Sequence, residues 1–156
     1  VAFEALKAAA EEGLFGKACA KRILALPALS LVEADAFLHA PYSTNASLGA
    51  LAAESASDED YDRIFQILDA VMERSARYAA AILAACVIQS GEGKNASRPV
   101  CILCNGSTYF KTHMLARRVH GYLEEALTKE RDLYWEIISR ENDITLGAAI
   151  AGLIES

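Results

Sequence analysis

Val100-Cys101-Ile102-Leu103-Cys104-Asn105-Gly106-Ser107-Thr108 decides the fold of this chain. The apolar run that follows Pro99 is too short for a helix of its own and fits a buried strand. The Asn-Gly-Ser-Thr after it is a tight polar turn. Upstream, one long helix is written from Ser57 or Asp58 to Ser90, opened by acids at the positive end of its dipole. Tyr61, Ile64, Phe65, Leu68, Val71, Met72, Ser75, Tyr78, Ala79, Ile82, Leu83 and Cys86 recur along it in threes and fours, the stripe of a core-facing helix. Gly91-Glu92-Gly93-Lys94-Asn95 then breaks it. That segment lacks the GxxxxGK[ST] spacing and the strand-to-helix order of a phosphate loop, and reads as a turn. Downstream, Thr112 to Leu127 is predicted as an amphipathic helix on Leu115, Val119, Tyr122, Leu123 and Ala126. Leu133 to Ile138 is predicted as a second strand and Thr145 to Ile154 as a last helix. Helix, strand, helix, strand, helix is the alternation of a parallel α/β sheet with right-handed crossovers. A parallel sheet of two strands leaves edges unsatisfied, so the chain is expected to be part of a larger fold, with self-association through an exposed sheet edge as one outcome.

The first third is helical and rich in alanine. Phe3 to Phe15 carries Leu6, Ala10 and Leu14 on one side and Glu11 and Glu12 on the other, and Gly13 and Gly16 close it. A second helix is expected from about Lys17 to Leu26, before Pro27. Ser30-Leu31-Val32-Glu33 has the spacing of a capping box and opens a third, which stops at Pro41. Ser43 to Ser57 is small, polar and weakly patterned, and reads as a surface connection holding a short helix. The chain is thus expected to be a single partial domain over 1–156, with a helical segment at 1–56 and an α-β-α-β-α segment at 57–156.

Composition narrows the function. The 156 residues, 53% apolar and 23% charged, describe a chain that buries a real core. Fifteen basic against 21 acidic residues give a net charge of −6 with no basic run, which argues against nucleic acid. No apolar stretch approaches the roughly 20 residues of a spanning helix, and no basic leader opens the sequence, so a cytoplasmic protein without a membrane partner is expected. Cys19, Cys86, Cys101 and Cys104 sit in apolar surroundings without framework spacing and read as buried free thiols. Cys101-Ile102-Leu103-Cys104 has a CxxC spacing, but no second pair follows, and a strand lacks the turn that a zinc knuckle needs. The Asn-x-Ser sequons at Asn45, Asn95 and Asn105 would matter only in a secretory compartment. His113 and His120, seven apart, are too far separated for an i, i+4 metal pair.

Ligands in open α/β sheets sit beyond the carboxyl ends of the strands. That rule selects Asn105-Gly106-Ser107-Thr108 after the first strand and the segment from Asn142 to Ala149 after the second. Gly106 can take a positive φ and bring backbone amides close to a ligand, Ser107 adds a hydroxyl, and Gly147 with Ala148 leaves room near a helix start. Together they predict one site.

At these residues the chain resembles the carboxyl-terminal part of the large domain of hexokinases. The resemblance rests on Arg74-Ser75-Ala76-Arg77-Tyr78-Ala79-Ala80, Asn105-Gly106-Ser107-Thr108-Tyr109 and Gly147-Ala148-Ala149-Ile150, with Ala8-Ala9-Ala10-Glu11-Glu12-Gly13-Leu14-Phe15 upstream, in the right order. It implies a helix-rich α/β fold: a partial actin-like ATPase, or ribonuclease H-like, large domain with a short parallel two-stranded sheet. It also implies ATP, Mg²⁺ and a hexose as ligands of the full-length protein, a kinase of carbohydrate metabolism and glycolysis that moves the γ-phosphoryl of ATP to the hexose 6-hydroxyl. By motif, Asn105, Gly106 and Ser107 would belong to the adenosine loop and Gly147 and Ala148 to the connecting segment beside it. The helix around Ser75 and Arg77 would transmit domain closure. Two departures stand out. The family's adenosine loop usually reads Asp-Gly-Thr where this chain has Asn105-Gly106-Ser107, and no Asp-x-Gly phosphate turn or sugar-binding segment with a catalytic aspartate appears. The resemblance therefore implies the nucleotide side of a hexokinase-like kinase, inactive alone; a non-catalytic interaction or oligomerisation module derived from the same fold is the alternative.

Overall fold

The computed structural model describes residues 1–139. The helix predicted at Thr145–Ile154 lies outside them. The chain divides into two compact units, Val1–Ala76 and Arg77–Ser156, and the division falls within the long helix.

Four short helices and the start of a long one make the first unit: α1 (Ala2–Glu11), α2 (Lys17–Ala25), α3 (Leu31–His39), α4 (Ser47–Ser55) and α5 (Asp58–Ser90). Its core gathers Leu6, Cys19, Ile23, Phe37, Leu38, Leu48, Ile64 and Leu68, all essentially inaccessible. Each large apolar side chain buried there contributes about 1.5–3 kcal/mol. Phe37 lies nearly parallel to Tyr61 at 6.1 Å, and Tyr42 packs on Tyr61 at 4.8 Å. The segment read as a surface connection is not one: α4 buries Leu48, Gly49, Leu51 and Ala52. Its small residues blur the periodicity because they are what lets α4 sit close to its neighbours.

The capping box is as the sequence predicts. Ser30 Oγ accepts from Glu33 N at 3.2 Å, and Glu33 Oε2 accepts from Ser30 N at 2.9 Å. Glu33 also accepts from the Ser47 hydroxyl, which links α3 to the start of α4. The bonds from Ser47, from the Ser30 amide and from the Ser30 hydroxyl hold the Glu33 carboxyl down to about 2. Replacing Ser30 by alanine removes the cap acceptor, and the expected loss is about 1 kcal/mol. It is measured as a lower urea midpoint; an unchanged midpoint would show the box to be idle.

In the second unit, β1 (Val100–Leu103) pairs in parallel with β2 (Trp135–Ile138), Val100 opposite Trp135 and Leu103 opposite Ile138. Between them lie α6 (Ser107–Lys111), α7 (Leu115–Leu123) and a π-helical turn, Glu124–Lys129. The single helix predicted over Thr112–Leu127 is thus divided. Met114 takes a left-handed conformation (φ 55°) just before α7, so the chain turns where sequence periodicity suggests continuity. The π-helical turn ends at Lys129, and the helical backbone that follows it is left at Asp132 (φ 53°), a residue type that tolerates this region. The loop read as a turn at 91–95 helps align the strands: Gly93 O accepts from Tyr134 N at 2.8 Å, and Tyr134 O accepts from Val100 N at 3.0 Å.

Two expectations fail here. Of β1 only Ile102 is buried; Cys101 and Leu103 are exposed, because alternate side chains point to opposite faces and only one face is covered. Of the four thiols only Cys19 is buried; Cys86 and Cys101 are exposed and Cys104 is half-buried.

Candidate functional site

Asn105 and Gly106 leave the carboxyl end of β1, and Gly106 is the residue before α6. Its φ of 101° and ψ of 156° lie in a region that only glycine adopts without strain. Among the described residues a Cβ placed there would meet nothing within 4 Å, so with respect to them the glycine serves backbone conformation, not close packing. Ser107 and Thr108, read as turn residues, instead begin α6, and both are exposed. Asn105 is half-buried.

The loop is anchored from below. Cys104 N donates to Ile138 O at 2.9 Å, extending the ladder to the last residue before the loop. Burial raises the Cys104 thiol, and burial followed by the neighbouring Cys104 raises the Tyr109 phenol, so both are neutral at physiological pH. Tyr109 packs edge-on against Phe110 at 4.9 Å, within α6. The neutral Cys104 and Tyr109, the exposed hydroxyls of Ser107 and Thr108 and the exposed Gly106 suit recognition of a neutral polar group. They offer no general base.

The structure therefore brings Asn105, Gly106 and Ser107 together at one strand end. Gly147 and Ala148 lie outside the described residues. Ser75 donates its hydroxyl to Val71 O at 2.9 Å, a bond within α5. Arg77 Nε donates to Tyr122 Oη at 3.0 Å. His120, read from its spacing as a solvated or packed side chain, packs on Trp135 at 4.9 Å, and Trp135 Nε1 donates to Thr128 Oγ1 at 3.0 Å. Cys101 Sγ donates to Glu136 Oε1 at 3.0 Å across the sheet.

Among the described residues, no group of three or more His, Cys, Asp or Glu is arranged to hold a metal ion. None of their helices is long and apolar enough to cross a membrane.

A helix-rich chain with a short parallel two-stranded sheet and a positive-φ glycine at its strand end is what comparison with known proteins has to account for. No curated protein and no solved structure matches the chain. The hexokinase family model does match, over residues 3–154, nearly the whole sequence, and the chain belongs to the hexokinase family.

Proposed function

We propose that this chain is the nucleotide-proximal, carboxyl-terminal part of a hexokinase large domain built on the actin-like ATPase plan. In the full-length protein it serves transfer of the γ-phosphoryl of ATP to the 6-hydroxyl of a hexose, with Asn105, Gly106 and Ser107 against the adenosine and Gly147 and Ala148 beside them. The observation that carries this reading is Gly106, held at φ 101° at the carboxyl end of a parallel strand. Mg²⁺ would neutralise phosphoryl charge during transfer. The chain's own contribution is to orient the nucleoside through loop amides and the Ser107 hydroxyl.

Ser107→Tyr tests the assignment. A phenol ring at the exposed Ser107 position crowds the loop, and affinity for a non-hydrolysable ATP analogue is expected to fall roughly tenfold or more, measured by isothermal titration. An unchanged affinity in a folded variant would remove Ser107 from the site. The chain alone is expected to show no glucose-dependent ATP turnover in a coupled assay.

A second reading, an interaction module of the same descent, is favoured by one observation: Leu103 on β1 is 54% exposed, on a sheet face that nothing covers among the described residues. Concentration-dependent dimerisation in sedimentation, with no nucleotide binding, would support it over the first.

A further inference from the structure

In the second unit a pocket of about 420 Å³ lies at the amino ends of the two strands, where Pro99 and Tyr134, the residues just before β1 and β2, both line it. Its size falls within the roughly 300–1,000 Å³ of small-molecule sites. The strands are parallel, so this is the end away from Gly106, and the pocket shares no residue with the loop there. Its chemistry comes from His120 on α7, Glu124 and Thr128 on the π-helical turn, and Tyr134, Trp135 and Glu136 where β2 begins.

Three features select its ligand. First, two carboxylates line it, and no Lys or Arg is among its described lining residues. Glu124 Oε2 accepts from Thr128 Oγ1 at 3.3 Å and Glu136 Oε1 accepts from Cys101 Sγ at 3.0 Å. Both donors are neutral, neither carboxylate is ion-paired among the described residues, and each keeps acceptor capacity for a further donor. Second, the rings of Trp135, Tyr134 and His120 share the lining, with His120 and Trp135 4.9 Å apart. Third, the groups are held before any ligand arrives. Trp135 Nε1 donates to Thr128 Oγ1 at 3.0 Å, and the Thr128 hydroxyl passes its own proton toward Glu124, so indole, hydroxyl and carboxylate orient one another. Tyr134 is pinned on both sides of its backbone, its N donating to Gly93 O at 2.8 Å and its O accepting from Val100 N at 3.0 Å. Groups fixed in advance lower the ordering cost of binding.

We propose that this pocket binds a small organic ammonium ion, its N–H groups on the half-buried Glu124 and its hydrocarbon part against Trp135 and Tyr134, with the exposed Glu136 adding negative charge at the mouth. Charge-assisted bonds to a carboxylate are the strong ones, and aromatic rings attract an organic cation. An anion would meet two carboxylates with no base to offset them. A neutral apolar molecule would take water from those carboxylates without replacing its bonds. The pocket stands whether or not the nucleotide reading does.

Trp135 is the one tryptophan of the chain, so its fluorescence reports this pocket directly. The full chain is titrated at neutral pH with 2-phenylethylammonium, with 2-phenylethanol as the uncharged probe of the same shape and 3-phenylpropanoate as the anionic one. A saturable one-to-one change with the ammonium is expected, with the alcohol weaker by roughly tenfold or more and the anion not binding. Glu124→Gln keeps the shape and is expected to weaken the ammonium roughly tenfold while leaving the alcohol unchanged. Should that variant lose its helical circular dichroism, Glu136→Gln, at an exposed strand position, is expected to weaken the ammonium about threefold. Sedimentation at the same concentrations is expected to show no change of mass when the ammonium is added. Non-saturable binding, equal affinity for ammonium and alcohol, binding of the anion, or ammonium affinity undiminished in a folded glutamine variant would each overturn the proposal. So would self-association that the ammonium disperses, which would assign the pocket to a basic side chain of a second copy.

Discussion

Asp60→Ala is expected to destabilise the chain by about 3 kcal/mol, read from the shift in the urea midpoint at neutral pH. Asp60 is 3% exposed, the buried charge of the first unit. Its Oδ1 accepts from Gly16 N at 2.9 Å, and its Oδ2 accepts from Ser57 N and Ser57 Oγ, each at 3.0 Å. One carboxylate therefore caps the first turn of α5 and ties it to the residue that precedes α2. Burial raises the carboxyl, but the Ser57 amide, the Gly16 amide, the Ser57 hydroxyl and the Arg63 charge together outweigh it, and the net shift is downward. Alanine leaves two amide donors without their acceptor, and water enters a site built to exclude it. The sign of the pH dependence follows. A carboxyl whose folded value lies below its unfolded value of about 3.9 contributes fully above that value and loses its contribution as pH falls through the folded one. The difference between wild type and Asp60→Ala should thus be constant from neutrality down to about pH 5 and shrink below pH 4. A gap that stayed constant to pH 2 would show that packing, not the carboxylate's bonds, carries the effect.

Gly49→Ala is the second large effect, and its sign runs against helix propensity. Gly49 lies within α4, where alanine is ordinarily the better residue by about 1 kcal/mol. Here an added Cβ would stand 1.9 Å from the backbone oxygen of Ser43. The obstacle is main chain, which cannot swing aside as a long side chain does. Either α4 moves, unpacking Leu48, Leu51 and Ala52 from the core, or the segment before it does, disturbing Tyr42 on Tyr61. A net loss of about 3 kcal/mol is expected, the upper end of ordinary overpacking. Thermal melting of the variant measures it; a midpoint equal to or above wild type would mean that this approach relaxes freely.

The same helix shows where reading the sequence stops. Ser47-Leu48-Gly49-Ala50-Leu51-Ala52 has too few large side chains to give a clear period, so it resembled a surface link. Burial of small residues depends on which backbone lies opposite, and nothing local encodes that. By contrast the span of α5 was legible almost to the residue but its buried face only as far as Met72: beyond it Ala76, Ala80, Ala84 and Val87 are buried while Tyr78 and Ile82 of the expected stripe are exposed; the Ser30–Glu33 box was legible because its two partners lie three residues apart in one chain. The helix after β1 was read as one piece; the left-handed turn at Met114 carries no glycine, asparagine or proline to announce it. In the candidate site, Gly106 was legible because a glycine after a strand suggests an unusual φ. The bond from Arg77 to Tyr122 was not, since the two lie 45 residues apart.

The sequence by itself determined the span of the long helix, the two strands after it, the Ser30 cap and the hexokinase resemblance, because each is written in residue types within a few positions of one another. Only the tertiary structure decided which apolar residues are covered: that β1 hides Ile102 alone, that α4 belongs to the core, and that a Cβ on Gly49 would strike the Ser43 carbonyl while one on Gly106 would meet nothing among the described residues. Burial is a property of pairs of surfaces brought together from distant parts of the chain, and local periodicity records only one surface of each pair.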